Sequence, residues 1–386
     1  MELLFPGVLL RQERLRRNWS QAGLCRGICA VSYLSRIEQG RTQAGPDILR
    51  LLFARLQLPW YDDAPTLQAA SGLVERCYEA LFSCDKAAAE SLRAEFSAHE
   101  ARLSHSPCAL DAALLRGLFS VPFQPAGAQW EPFFSTRQLA LQRMMQGRHA
   151  EAVHLAPCAY LCLMAGIAAY EQGENEADVV TYLRRAYDLA AEEGYAHAML
   201  LARTYLGNFY CNKRDIAAMH TQYRAARRLA LALGDHQLLR VMEYNQASAY
   251  LEAGEPARAY AYFAGLQQPT VLELHKLAIC CEKLGRREEA LSALAHAEEA
   301  EADGPDPHLA RQMCDLVRFR LEHEDYLERP EYGQRLLQLF QQCREQLPVG
   351  YAAFHLPWVL EWYTAARQYR AAYELLRDFP LKLHLK

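Results

Sequence analysis

No part of the 386-residue chain is apolar for long enough to cross a bilayer. Its longest uncharged stretch, 155–170, contains Pro157 and Gly166 and falls short of the ~20 residues a spanning helix needs. The opening Met1-Glu2-Leu3-Leu4-Phe5-Pro6 has no basic start and its apolar run stops at Pro6, so neither a secretory signal nor a membrane partner is expected. The twelve Cys never form a CxxC pair and have no nearby His/Cys set. They read as reduced thiols of a cytoplasmic protein, not as a disulfide framework or metal site, with exposed-thiolate redox sensing the open alternative. Also missing are a phosphate-binding Gly loop, a nucleophile turn with a Ser/His/Asp set and a paired-His metalloprotease motif. No catalytic residue, metal or cofactor is therefore expected, and an enzyme is not the reading. Net charge is small, 42 Lys+Arg against 46 Asp+Glu, and 51% of residues are hydrophobic, which excludes a disordered, fibrous or strongly cationic chain.

That near-neutral balance hides an asymmetry. Residues 1–60 hold nine Arg (11, 14, 16, 17, 26, 36, 41, 50 and 55) against Glu2, Glu13, Glu38 and Asp47, a local charge of +5, while the remainder carries −9. A polyanionic partner would meet the basic head, although an ordinary solvated Arg face gives the same count.

The head reads as four short helices. Leu9, Leu10 and Leu15 give a first amphipathic helix over about 7–17. Ser20 is placed to cap a second helix with Leu24 inward, and the turn Gly27-Ile28-Cys29 follows. A third helix runs over 31–38, with Val31, Leu34 and Ile37 or Glu38 facing inward, and Gly40 ends it. Pro46-Asp47 opens a fourth, whose Ile48, Leu51, Leu52 and Leu56 close the core. Two short helices joined by a tight turn, the second displaying small polar residues and an Arg, suit the major groove of double-stranded DNA. The candidate DNA contacts are Gln21, Val31, Ser32, Tyr33, Ser35, Arg36 and Arg41. Serine hydroxyls donate or accept, Arg36 can grip guanine in bidentate fashion or hold phosphate, and Gln21 at a helix start can bond phosphate.

These residues carry a resemblance. The run Trp19-Ser20-Gln21 through Leu24, Gly27-Ile28-Cys29, Tyr33-Leu34-Ser35-Arg36-Ile37-Glu38-Gln39-Gly40 and Pro46 through Ile48-Leu49 resembles the helix-turn-helix of the xenobiotic-response-element and phage-repressor class, over about 7–60. Gly23 and the Arg26-Gly27 pair depart from its usual pattern. The resemblance implies an ion pair between Arg14 and Glu38 that is structural and not part of the DNA site.

Beyond Pro59-Trp60-Tyr61 nearly everything reads as helix, with Ala and Leu abundant and no β-branched runs between turn signals. A spacing recurs in which a small residue is followed by an aromatic at +3, a turn Gly at +7, Ala at +12 and an aromatic at +16. Ala247, Tyr250, Gly254, Ala259 and Phe263 fit it fully. Gly207, Tyr210 and Tyr223 fit with Arg214 in place of the turn Gly, and Ala278, Cys281, Gly285, Ala290 and Leu294 fit with substitutions. Partial copies are Ala140, Gly147 and Ala152; Gly166, Gly173 and Tyr182; and Leu360, Tyr363, Ala372 and Leu376. The pattern resembles tetratricopeptide repeats over roughly 130–380. The fold expected is thus all-α: a helix-turn-helix domain over 1–61, a helical connector or degenerate repeats over 62–130, interrupted by Pro122, Pro125 and Pro132, and a tetratricopeptide-like superhelix over 131–386.

A stacked array presents the first helix of each pair along a concave groove, where Asn carboxamides can both donate to and accept from a peptide backbone. Tyr205, Asn208, Asn212, Tyr244, Asn245 and Lys276 are the candidate peptide contacts. The three Asn equally suit bridges between helices inside the core. Arg203, Arg240 and His275 are further candidates for a peptide carboxylate. A helix-turn-helix head on such a body resembles the peptide-pheromone-responsive regulators of Gram-positive bacteria, the PlcR, NprR, Rgg and PrgX group. That resemblance implies a homodimer on a two-half-site operator, quorum sensing through a short imported peptide, and a peptide site over 205–276. Two other readings stay open, an interaction scaffold with a vestigial head and a regulator without a ligand.

Overall fold

The computed structural model describes residues 5–173, 176–300 and 306–379, so the first four residues of the signal reading and parts of 131–386 lie outside the described residues. All regular structure among them is helical. The first unit comprises residues 1–165 with 185–198 and the second 166–184 with 199–386.

In the first unit the head consists of α1 (Pro6–Arg16), α2 (Gln21–Cys25), α3 (Val31–Glu38) and α4 (Pro46–Arg55). Ser20 caps α2 by accepting from the Gly23 N–H at 3.0 Å, and Gly40 ends α3 in the left-handed region. Leu10, Leu24, Leu34 and Leu52 are fully buried between the four helices. Three apolar residues face the other way from expectation: Leu15, Val31 and Leu51 are exposed, and Leu49 and Phe53 take the place given to Leu51. Helices this short are packed by several neighbours at different angles, so one stripe does not define their inner face. A Cβ on Gly7 would stand 1.8 Å from the Ile37 carbonyl oxygen, so α1 and α3 touch backbone to backbone there.

The head core continues past residue 61. Phe53 stacks on Trp60 at 4.6 Å, Phe5 lies 5.0 Å from Trp130, and Ala109 and Leu110 join the same apolar cluster. Between these contacts run α5 (Ala64–Phe82), α6 (Lys86–Leu103) and α7 (Ala109–Leu118), then a 3-10 helix over Ala128–Phe133 that contains Pro132. The connector thus holds a true helix pair, α5 and α6, turned at Cys84 with φ +61°. The pair α8 (Thr136–Met145) and α9 (His149–Leu155) follows.

The remaining helices continue a helical-repeat-like pattern. They are α10 (Ala159–Gln172), α11 (Glu176–Glu193), α12 (Ala196–Asn212), α13 (Ile216–Leu233), α14 (His236–Glu252), α15 (Pro256–Phe263), α16 (Val271–Lys283), α17 (Arg287–Glu299), α18 (Pro307–Glu322), α19 (Pro330–Gln346), α20 (Val349–Ala365) and α21 (Tyr369–Asp378). Arg214, standing where a turn Gly is usual, adopts φ +58°, close to the +82° and +75° of Gly254 and Gly285. Arg367 does the same at +57° in the last pair. At three places a small residue seats a large one of the next helix. A Cβ on Gly207 would meet the Tyr223 ring at 2.1 Å, and one on Gly333 would meet Trp362 at 2.0 Å. At Gly166 the partner is Leu183, not the expected Tyr182, which is only half buried.

Candidate functional site

Two places gather the residues singled out above, one in each unit. On α3, Val31, Ser32 and Arg36 are exposed, Tyr33 and Ser35 are half exposed, and Arg41 is exposed just past the helix end. Leu34, Ile37 and Glu38 hold the opposite face in the core. No side chain caps the α3 N-terminus, so its first N–H groups remain to be met by solvent or phosphate. Arg36 lies 5.9 Å from the Tyr33 ring, and the Tyr33 hydroxyl donates to the Gln43 carbonyl at 3.4 Å, which steadies both side chains. Ser35 accepts from the Gln39 amide at 3.2 Å.

Arg14 and Glu38 form the expected pair, bidentate at 2.6 and 2.8 Å and almost completely buried. The hydrogen bond to Glu38 raises the Arg14 pKa. Gln21 belongs to this network: its Nε2 donates to Glu38 Oε2 at 2.8 Å. That bond uses one of the two N–H donors of the amide and orients the side chain, which leaves the second N–H and the backbone at the start of α2 for a phosphate contact. Arg16 and Arg17 pair with Glu13, Arg50 with Asp47 and Asp62, and Arg55 reaches the Leu24 and Arg26 carbonyls. Arg11, Arg26, Arg36 and Arg41 are left exposed and without an ion pair among the described residues. Arg11 and Arg26 escaped the sequence reading, since charge counting does not show which cations are already neutralised.

The second place is a cavity of about 280 Å³ in the second unit. All six residues proposed for a peptide (Tyr205, Asn208, Asn212, Tyr244, Asn245 and Lys276) line it. They come from α12, α14 and α16, the first helices of successive pairs. The Asn side chains also bridge helices. Asn208 Oδ1 accepts from the Tyr223 hydroxyl at 2.5 Å and from Asn245 Nδ2 at 3.0 Å, and Asn212 Nδ2 donates to the Tyr170 hydroxyl at 2.9 Å. Of the charged candidates, Arg240 is held bidentate by Glu273 at 2.9 and 2.6 Å and Arg203 by Gln222 at 2.7 Å. Only His275 of that trio reaches the cavity lining.

The far wall comes from α20, which supplies Gly350, Tyr351, Phe354 and His355. Sequence reasoning missed it because the last repeat copy was recognised only from Leu360 onward. The one signal available was a histidine, His355, set in an otherwise apolar run of a helix. Lys276 is 6% exposed, its Nζ lies 2.7 Å from the centre of the Phe354 ring, and burial brings its pKa down to about 7. Burial pushes the carboxyls of Glu252 and Glu171 up, opposed at Glu252 by Lys276 and Arg214. His275 and His355 are wholly buried, and burial holds His275 well below its usual range and His355 at about 4. Both ring nitrogens of His275, Nε2 of His355 and the Ser248 hydroxyl have no hydrogen-bond partner among the described residues. Buried polar atoms left in that state each need a reason.

Residues 7–59 match a family model described as a helix-turn-helix domain. No curated protein and no solved structure gave a match. The matched span contains α1 to α4 in full apart from Pro6, together with all seven candidate DNA contacts. A helix-turn-helix domain on an all-helical fold supports DNA as the partner of the head and a regulator in preference to an enzyme. No helix among the described residues is long and apolar enough to cross a membrane.

Proposed function

We propose that this chain is a sequence-specific, cytoplasmic transcription regulator whose head is of the xenobiotic-response-element type. Its domains on this reading are a DNA-binding head over 1–61, a helical connector over 62–130 and a tetratricopeptide-like body over 131–386. The observation that carries the DNA part is the helix-turn-helix match over 7–59, with the polar face of α3 exposed inside it. Val31, Ser32, Tyr33, Ser35 and Arg36 form the reading face, with Arg41 and the start of α2 at Gln21 on phosphate. One short helix reads too few base pairs for selectivity, so the chain works as a homodimer on paired half-sites. Tyr369, Tyr373 and Leu376, spaced four and three apart on α21 and exposed among the described residues, give the second unit an apolar face suited to a second copy.

The body senses a short signalling peptide, as in the pheromone-responsive regulators. In support, the six residues picked for carboxamide and aromatic chemistry share one cavity that also holds unpartnered buried polar atoms. The test is selection from a randomised duplex library with the full-length protein at near-physiological salt, where non-specific binding fades. Enrichment of paired inverted half-sites is the expected result. A stoichiometric protein partner without any sequence-selective DNA binding would replace this reading with an interaction scaffold.

A further inference from the structure

We propose that the cavity is a carboxylate pocket with Lys276 as counter-ion, filled by the anionic end of a ligand: a peptide C-terminus or a small organic acid. This rests on the reading of the body as a ligand sensor and specifies the chemistry of that site.

Three observations lead there. First, Lys276 is a nearly buried ammonium with no hydrogen bond or ion pair to the described residues. It faces the Phe354 ring and the void. The lining carboxyls are Glu171 and Glu252, and Glu252 already sits 3.6 Å from Arg214. A buried cation without a partner is costly, and an incoming anion relieves that cost. Second, His275 and Ser248, on two helices around the same void, keep polar atoms able to donate that have no partner among the described residues. An ionised carboxylate is acceptor-only with about four lone-pair sites, which matches one ammonium beside the single N–H of neutral His275 and the O–H of Ser248. His355 gives its Nδ1–H to the Tyr351 carbonyl at 2.8 Å, so its Nε2 is an acceptor and takes no part in holding the anion. A phosphate dianion would call for a second cation. Third, about 280 Å³ stands at the lower edge of the ~300–1,000 Å³ of ligand pockets, so the void holds the end of a peptide or a small acid and not an extended peptide lying lengthwise. Leu272, Met313 and Phe354 supply apolar wall for the group next to the carboxylate.

The charged and titratable groups acting on Lys276 are Glu252 from α14, Cys211 from α12, and Cys280 from its own helix, with His275 beside it and His355 from α20. Among these only Glu252 offers an opposite charge, and Arg214 shares it. Binding an anion restores the proton that burial makes weak on Lys276. Affinity should be level below about pH 7 and fall above it by up to tenfold per pH unit, until the pKa of the bound state is reached.

The experiment uses full-length protein and three probe sets: randomised hexapeptides with free C-termini, the same library amidated, and a panel of hexanoate, phenylacetate and indole-3-acetate. Retained compounds are identified by mass spectrometry and their affinities measured for wild type, Lys276→Met and Lys276→Gln. Retention of free-acid peptides, with at least tenfold loss on amidation and in either folded variant, supports both the pocket and the peptide reading. Retention of the small acids alone, lost in the variants, supports the pocket and overturns the peptide reading. Equal binding of acid and amide peptides, or undiminished binding by both variants, overturns the pocket and leaves the peptide reading standing. Retention from none of the sets overturns both.

Discussion

Arg36 and Glu38 are two residues apart on α3, yet burial gives them opposite duties. Glu38 is sealed under Arg14 and Gln21, where loss of one partner of a buried pair costs about 3–5 kcal/mol, so it holds the head together. Arg36 is exposed, and its side chain lies over the Tyr33 ring without an ion pair among the described residues. Arg36→Ala should therefore leave the thermal melt unchanged and weaken operator binding by about 1–3 kcal/mol, read by fluorescence anisotropy at fixed salt. Equal affinity in the variant would remove Arg36 from the readout. The cavity histidines yield a second prediction at this scale. His355 is held at about 4 by burial, with Lys276 and Arg320 acting in the same direction, and His275 is depressed likewise by burial, Lys276 and His355. Below pH 6.5 the unfolded chain takes up protons that the folded chain refuses, so stability is intact above that pH and drains as pH falls toward 4. The slope is about 1.4 kcal/mol per pH unit for each histidine. Urea midpoints from pH 7 to 5 should drop less in His355→Phe than in wild type, and parallel curves would show that His355 is not responsible.

Helices show where the sequence was legible and where it was not. Turn positions were readable because the chain must enter the left-handed region there, and Gly254 and Gly285 advertise it. Arg214 was recovered only by its register with them. The pair α18 and α19 was not read, since its connection runs through the 3-10 turn Tyr326–Glu328 without a turn Gly. Gly333 beneath Trp362 marks, after the fact, how α19 packs on the next helix, α20. In the head, the existence and order of the helices came through, while the inward faces of Leu15, Val31 and Leu51 did not. Half of the cavity was legible, the half made of Asn and Tyr in repeat register; the α20 wall depends on packing between residues far apart in sequence. Backbone proximity is invisible in the same way, and Gly7 illustrates it. Gly7→Ala drives a methyl into the Ile37 carbonyl, so α1 must part from α3. The expected cost is about 1–3 kcal/mol in chemical denaturation, accompanied by loss of DNA binding. Stability within error of wild type would mean that the two helices separate freely.

At the scale of the whole chain, a head carrying +5 and a remainder carrying −9 favour approach of a polyanion to the head. The pairing pattern inside the head then becomes a counting device. Five of its nine Arg are spent on the protein itself, which leaves Arg11, Arg26, Arg36 and Arg41 to displace counterions from a duplex. Each neutralised phosphate contributes about −0.9 to the slope of log affinity against log salt. One head on DNA can therefore reach about −3.6 at most, and two heads about −7. A salt titration of operator binding thus doubles as a stoichiometer: a slope steeper than one head can supply counts two protomers on the site, without a molar mass ever being measured.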